Sequence, residues 1–167
     1  MAKLQIVKEG DPLLRKSSRP VTEITPRILT LLDDMTETMR AANGCGLAAV
    51  QVGVLRRVVV IETEESGLIE LINPEIIEES GEQDGLEGCL SLAGLYGLVT
   101  RPMKVKIKAQ DRYGNPVEYE REGITARCFC HETDHLDGHM YNELCEVLMT
   151  EADIEAMLER GELEVDE

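Results

Sequence analysis

Tryptophan is missing, phenylalanine occurs once, and four tyrosines complete the aromatic set. A core must therefore come from Leu, Ile, Val, Ala and Met. Positive charge is also in short supply, with 17 Lys and Arg against 33 Asp and Glu and a formal charge of −16. Phosphate-backbone affinity comes largely from Lys and Arg displacing counterions, so this balance argues against direct nucleic-acid binding. It favours a soluble monomer instead. No apolar run approaches the roughly 20 residues of a membrane span. Met1-Ala2-Lys3-Leu4 leads straight into mixed sequence, without the apolar stretch of an export signal. The expectation is a cytoplasmic protein with no membrane contact. Five cysteines, an odd number with no export signal, favour free thiols or metal ligation over a disulfide framework.

The 167 residues, 43% of them hydrophobic, suit a single domain over 1–167. Ile28, Leu31, Leu32, Met35 and Met39 recur at spacings of three and four. That period predicts a helix over Thr25–Ala42 with Pro26 in its first turn, stopped by Asn43-Gly44-Cys45-Gly46. Arg57–Glu62 and Gly67–Ile72 read as strands, the second closed by Asn73-Pro74. Ile76-Ile77, Leu98-Val99, Val105–Ala109 and Val117–Tyr119 continue a mostly antiparallel sheet region, with a hairpin turn at Tyr113–Pro116. Helical character returns over Ile124–Met140, where Gly138 is placed to end or loosen the helix. An acidic helix and tail begin near 150, capped by Thr150 and low in order after Arg160.

The strongest local signal is His131-Glu132-Thr133-Asp134-His135. Histidines four apart share one helix face and can grip one metal ion, with the glutamate beside it. A catalytic metal of this kind needs a third protein ligand and an open position for water. The metzincin pattern fails, because Tyr141 stands at its ligand position and His139 is out of step. Glu151 or Glu155 would give a thermolysin-like site, and composition leaves that open. Cys89, in the glycine-flanked turn Glu87-Gly88-Cys89-Leu90-Ser91, is the better candidate. Cys45, Cys128, Cys130 and Cys145 read as inert buried thiols. Gly44–Gln51 has the look of a dinucleotide fingerprint, but it follows a helix rather than a strand.

Taken together, Gly44–Gln51, Glu87–Ser91 and His131–His135 resemble the three signature motifs of the peptide deformylase family, usually written GxGLAAxQ, EGCLS and HExxH. Leu136-Asp137-Gly138, Asp11–Arg15 and Arg101-Pro102 are similar to family sequences too. Val50, Ala93 and Cys130 depart from the pattern, and Cys130 sets a thiol, sensitive to oxidation, beside His131. The resemblance implies an α+β fold of mostly antiparallel sheets packed around a central metal-binding helix. It implies Cys89, His131 and His135 as ligands of one divalent metal, Fe2+ foremost, with Zn2+, Ni2+ or Co2+ accepting the same donors. Glu132 would carry protons, and the Gln51 amide and the Leu90 backbone N–H would stabilise the oxyanion. Gly44, Cys45, Gly46, Ile124 and Cys128 would line the substrate pocket. Glu87 and Arg101 would pair to orient the cysteine loop, unless they form an ordinary surface pair. The implied reaction removes formate from N-formylmethionyl nascent peptides, with transient ribosome contact. The acidic tail argues against docking on ribosomal RNA. A metallopeptidase cutting internal bonds and a noncatalytic interaction module are the competing readings.

Overall fold

The computed structural model describes residues 3–162. Helix α1 spans Pro26–Ala41, followed by the three-residue strand β1, Gly46–Ala48. Strands β2 (Val58–Thr63) and β3 (Gly67–Ser80) come next, then β4 (Gln83–Cys89) and β5 (Leu92–Arg101). After β6 (Lys104–Gln110) and β7 (Pro116–Glu122) the chain enters helix α2, Gly123–Leu136. The short β8, Leu148–Met149, and helix α3, Glu151–Glu159, complete the order.

All strand pairings are antiparallel among the described residues, in a five-stranded sheet ordered β1-β2-β3-β6-β7 and a three-stranded sheet ordered β4-β5-β8. The α+β reading is therefore the observed one. Side chains alternate across a strand, so β2, apolar at four consecutive positions, can be covered on both faces. Val58 and Val60 join Leu32, Met35 and Met39 of α1 in one core. Val59 and Ile61 join Ala126, Phe129 and Leu136 of α2 in the other. The larger sheet is thus held between two helices. On its other side α2 reaches the small sheet through polar contacts. Arg127 Nη1 donates to the Val99 carbonyl at 2.9 Å, and Arg101 Nη1 donates to Asp134 Oδ2 at 2.7 Å.

Three boundaries differ from the sequence reading. Asn73-Pro74 does not close a strand, because β3 runs on to Ser80 through a register shift between Ile72 and Glu75. Asn73 takes a left-handed backbone with φ 54 there. Its amide Nδ2 donates to the Val21 carbonyl, and its Oδ1 accepts from the Val21 N–H, each at 2.8 Å. A proline at such an irregularity removes no ladder hydrogen bond. The helix expected to reach Met140 ends at Leu136, where Gly138 at φ +81 turns the chain out. Glu87–Ser91, read as a glycine-flanked turn, is strand as far as Cys89, the last residue of β4, and turns only at Leu90 and Ser91. The tail expected to be low in order lies, for 163–167, outside the described residues. No described helix is long and apolar enough to cross a membrane.

Candidate metal centre

Eleven of the fourteen residues of α2 are buried, and these include Arg127, His131, Glu132 and His135. Burying charged groups is costly unless each is paired or put to use. Geometry accounts for most of them. Cys89, at the end of β4, brings its sulfur to 3.3 Å from His135 Nε2, and His135 Nε2 lies 3.2 Å from His131 Nε2. The three donor atoms all fall within 4.8 Å of one another. Neither Glu151 nor Glu155 belongs to this group. Glu151 stands on the outer wall of the cleft, where it accepts from the Tyr96 hydroxyl at 3.4 Å.

Glu87 fixes the first histidine. Its Oε1 lies 2.8 Å from His131 Nδ1, which makes Nδ1 the protonated nitrogen and turns the Nε2 lone pair toward the cluster. The same carboxylate takes two hydrogen bonds from Arg101, at 2.8 and 2.9 Å, and one from Arg127 at 2.7 Å. Burial works to raise the Glu87 pKa, but the bonds from Arg101 and His131 outweigh it and hold the group well below the usual carboxylate range. With Glu87 5% exposed and Arg101 6%, this is a buried network rather than a solvated surface pair. Arg127 and Asp134 belong to it and were not singled out by the sequence reading. The available signal was spacing, since Arg127 stands four residues before His131 and so on the same face of the expected helix. Tyr141 is buried too. Its ring stacks on His131 with centroids 5.8 Å apart, and its hydroxyl donates to the Leu95 carbonyl at 2.9 Å.

Glu132 is 4% exposed, and its Oε1 has no hydrogen-bond partner within the described protein; His135 Nδ1 is likewise unpartnered. Burial raises the Glu132 pKa to about 7, against the pull of His131. A cation on the three donors would draw it back down. Gly46 makes room for this side chain, because a Cβ there would meet Glu132 Oε2 at 2.5 Å. Gln51 is anchored through Oε1, which accepts from the Ala48 N–H at 2.9 Å. That leaves Nε2 pointing at Cys89 Sγ, 3.3 Å away, and at Ser91 Oγ, 3.1 Å away.

A cleft of about 560 Å³ opens onto this cluster, lined in part by Gly44, Cys45, Gly46, Gln51, Leu90 and Ile124. Ile124 stands at its rim, 55% exposed. Cys128 lies deeper, in contact with Cys45. Cys130 has the inert character expected of it rather than that of an oxidation-sensitive thiol. It sits in the main core, where burial pushes it up to about 12, so little thiolate is present to react. Cys45 departs from the inert class, being exposed. His139 lies outside the cluster, exposed and paired with Glu143 at 3.1 Å.

The donor set fits a divalent cation of intermediate softness. One sulfur and two imidazole nitrogens converge, one ring is already oriented by a carboxylate, and a buried glutamate waits beside an open cleft. Such a site on a helix held between antiparallel sheets defines a mononuclear metallohydrolase. The model of the polypeptide deformylase family matches residues 3–147. A peptide deformylase of Agathobacter rectalis is 58% identical over 146 residues, covering 87% of this chain and 92% of the relative. That of Caldicellulosiruptor bescii is 49% identical over 97% of each chain. The solved structure of the Thermotoga maritima peptide deformylase superposes with a TM-score of 0.85 at 37% identity, covering 88% of this chain and all of that one. This chain belongs to the polypeptide deformylase family.

Proposed function

We propose that this chain works as a single catalytic domain over 1–167. It removes the formyl group from N-formylmethionyl nascent peptides, with Cys89, His131 and His135 holding one divalent cation. Ferrous iron is the native ion in this reading; zinc, nickel and cobalt accept the same donors. The observation that carries it is the convergence of those donors at the floor of a cleft whose wall holds Glu132 against Gly46. A cation held by these three residues would supply Lewis acidity and would lower the pKa of a water toward about 7. Glu132 takes a proton from the water that adds to the formyl carbon and delivers it to the departing amine. Formate and a free N-terminus result. The Gln51 Nε2–H and the Leu90 backbone N–H donate to the formyl oxygen as its charge develops. Gly46, on an edge strand without a side chain to obstruct it, lets the peptide backbone lie alongside. Gly44, Cys45, Ile124 and Cys128 border the space for the first side chain.

The enzyme acts as a monomer in the cytoplasm. Its contact with ribosomes is transient and does not involve the tail after 150, where acidic residues far outnumber Arg160. Release of formate from a formyl-Met peptide by the metal-loaded protein tests the activity. Glu132→Gln should lower turnover by about 10²–10⁴-fold while metal content stays at one ion per chain. Formate release undiminished in that variant, or absent with iron, nickel and cobalt alike, would refute the assignment.

A further inference from the structure

Three of the five free cysteines are accounted for. Cys89 belongs to the donor trio, Cys130 is sunk in the core, and Cys145 packs against Gly97 of β5. The other two meet. Cys45 Sγ lies 3.3 Å from Cys128 Sγ, although 83 positions separate them in the chain. We propose that Cys45 and Cys128 form a reversible dithiol–disulfide site in the wall of the substrate cleft, closed by a hydroperoxide and reopened by a small thiol.

A disulfide needs sulfurs at 2.03–2.05 Å, so closure asks for about 1.3 Å of further approach. Cys45 can supply it. It stands between Gly44 and Gly46 in the connection from α1 to β1, outside regular structure. Cys128 is fixed on the buried face of α2. The two also differ in access: Cys45 is exposed, whereas Cys128 is 5% exposed. That is the arrangement of a peroxide-attacking thiol beside a resolving one. The hydrogen bond from Cys128 draws the Cys45 thiol down to about 7, which favours the attacking role for Cys45.

The steps balance. The Cys45 thiolate attacks the outer oxygen of the hydroperoxide, the O–O bond breaks, and the alkoxide or hydroxide released takes up a proton, leaving a sulfenic acid on Cys45. Cys128 then attacks that sulfur, the S–O bond breaks, and water departs with the thiol proton. The two thiols have lost two electrons and the peroxide has gained them. Two equivalents of a small thiol reverse the change by successive exchange. The bond ties the glycine segment carrying Gly46 to α2 one turn before Glu132, and so alters the wall along which substrate lies. This last consequence rests on the proposed deformylase function; the bond itself does not.

The test uses the zinc-loaded protein, in which the metal has no redox chemistry of its own. After limited peroxide and alkylation, nonreducing peptide mapping should show Cys45 cross-linked to Cys128. Denatured thiol titration should fall from five to three, with recovery on dithiothreitol. In Cys128→Ala, a dimedone-trapped sulfenic acid should accumulate at Cys45. The cross-linked enzyme should need several-fold more formyl peptide for half-maximal rate, restored by reduction. Alkylated Cys45 and Cys128 in a sample already oxidised at Cys89 or Cys145 would overturn the site. Complete cross-linking with an unchanged KM would overturn its bearing on substrate. Mapping requires no catalysis, so failure of the activity and failure of this site are told apart.

Discussion

A methyl group added at Gly46 would lie 2.5 Å from Glu132 Oε2 and 2.9 Å from two of its carbons. Glu132 is buried, so Gly46→Ala should displace its carboxylate rather than the Cys89, His131 and His135 donors. The expected result is a fall in turnover of more than tenfold with metal content unchanged; wild-type kcat with full metal would contradict it. Glu87 poses a different problem. Its carboxylate answers Arg101, Arg127 and His131 at once, so Glu87→Ala leaves buried cations short of a partner. Breaking such a pair from one side costs about 3–5 kcal/mol, and loss of a histidine's carboxylate partner weakens metal binding about 10–100-fold. Urea unfolding and competitive metal titration of the same variant measure both, and a surface-like cost under 1 kcal/mol would refute the network's role.

Between residue and fold, the end of α2 sets the helix's place. Gly138 turns the chain at φ +81, and a Cβ there would meet the Arg15 carbonyl oxygen at 2.5 Å. Arg57 holds the same end through the Leu136 carbonyl at 3.2 Å and Asp137 at 3.0 Å. Gly138→Ala combines a left-handed backbone with a backbone clash. The first alone costs about 1–3 kcal/mol, so denaturant unfolding should show a loss above that range's lower end. A variant as stable as the parent would mean that the turn relaxes freely. The helix itself is unusual among the elements because its polar residues face inward, against the small sheet and the cleft. Hydrophobic periodicity alone would have turned them to solvent.

For the molecule as a whole, the donors join parts far apart in sequence. Cys89 ends β4 in the small sheet, and His135, 46 residues on, belongs to the helix packed on the large one. A cation bound only by the native chain adds stability by mass action, about 4 kcal/mol at a thousand times its dissociation constant. Chelation should therefore lower Tm, and restoring zinc or nickel should raise it again. An unchanged Tm after verified metal loss would show that the donors are already held by packing alone.

Local signals determined much of this protein. The three-and-four spacing from Ile28 to Met39 marked α1, and the valine run at Val58–Val60 marked a strand. The spacing of His131 and His135 put two donors on one helical face. Those readings succeed because each depends on neighbours within a turn or a strand, and backbone periodicity is fixed by covalent geometry. Long-range placement decided the rest. Only the folded chain brings Cys89 to the histidines, buries Glu87 among two arginines, carries β3 past Pro74 by docking Asn73 on Val21, and sets Cys45 beside Cys128. These contacts join residues dozens of positions apart, and their energy comes from desolvation and packing. Both are properties of the assembled sheets and helices, which no window of sequence contains.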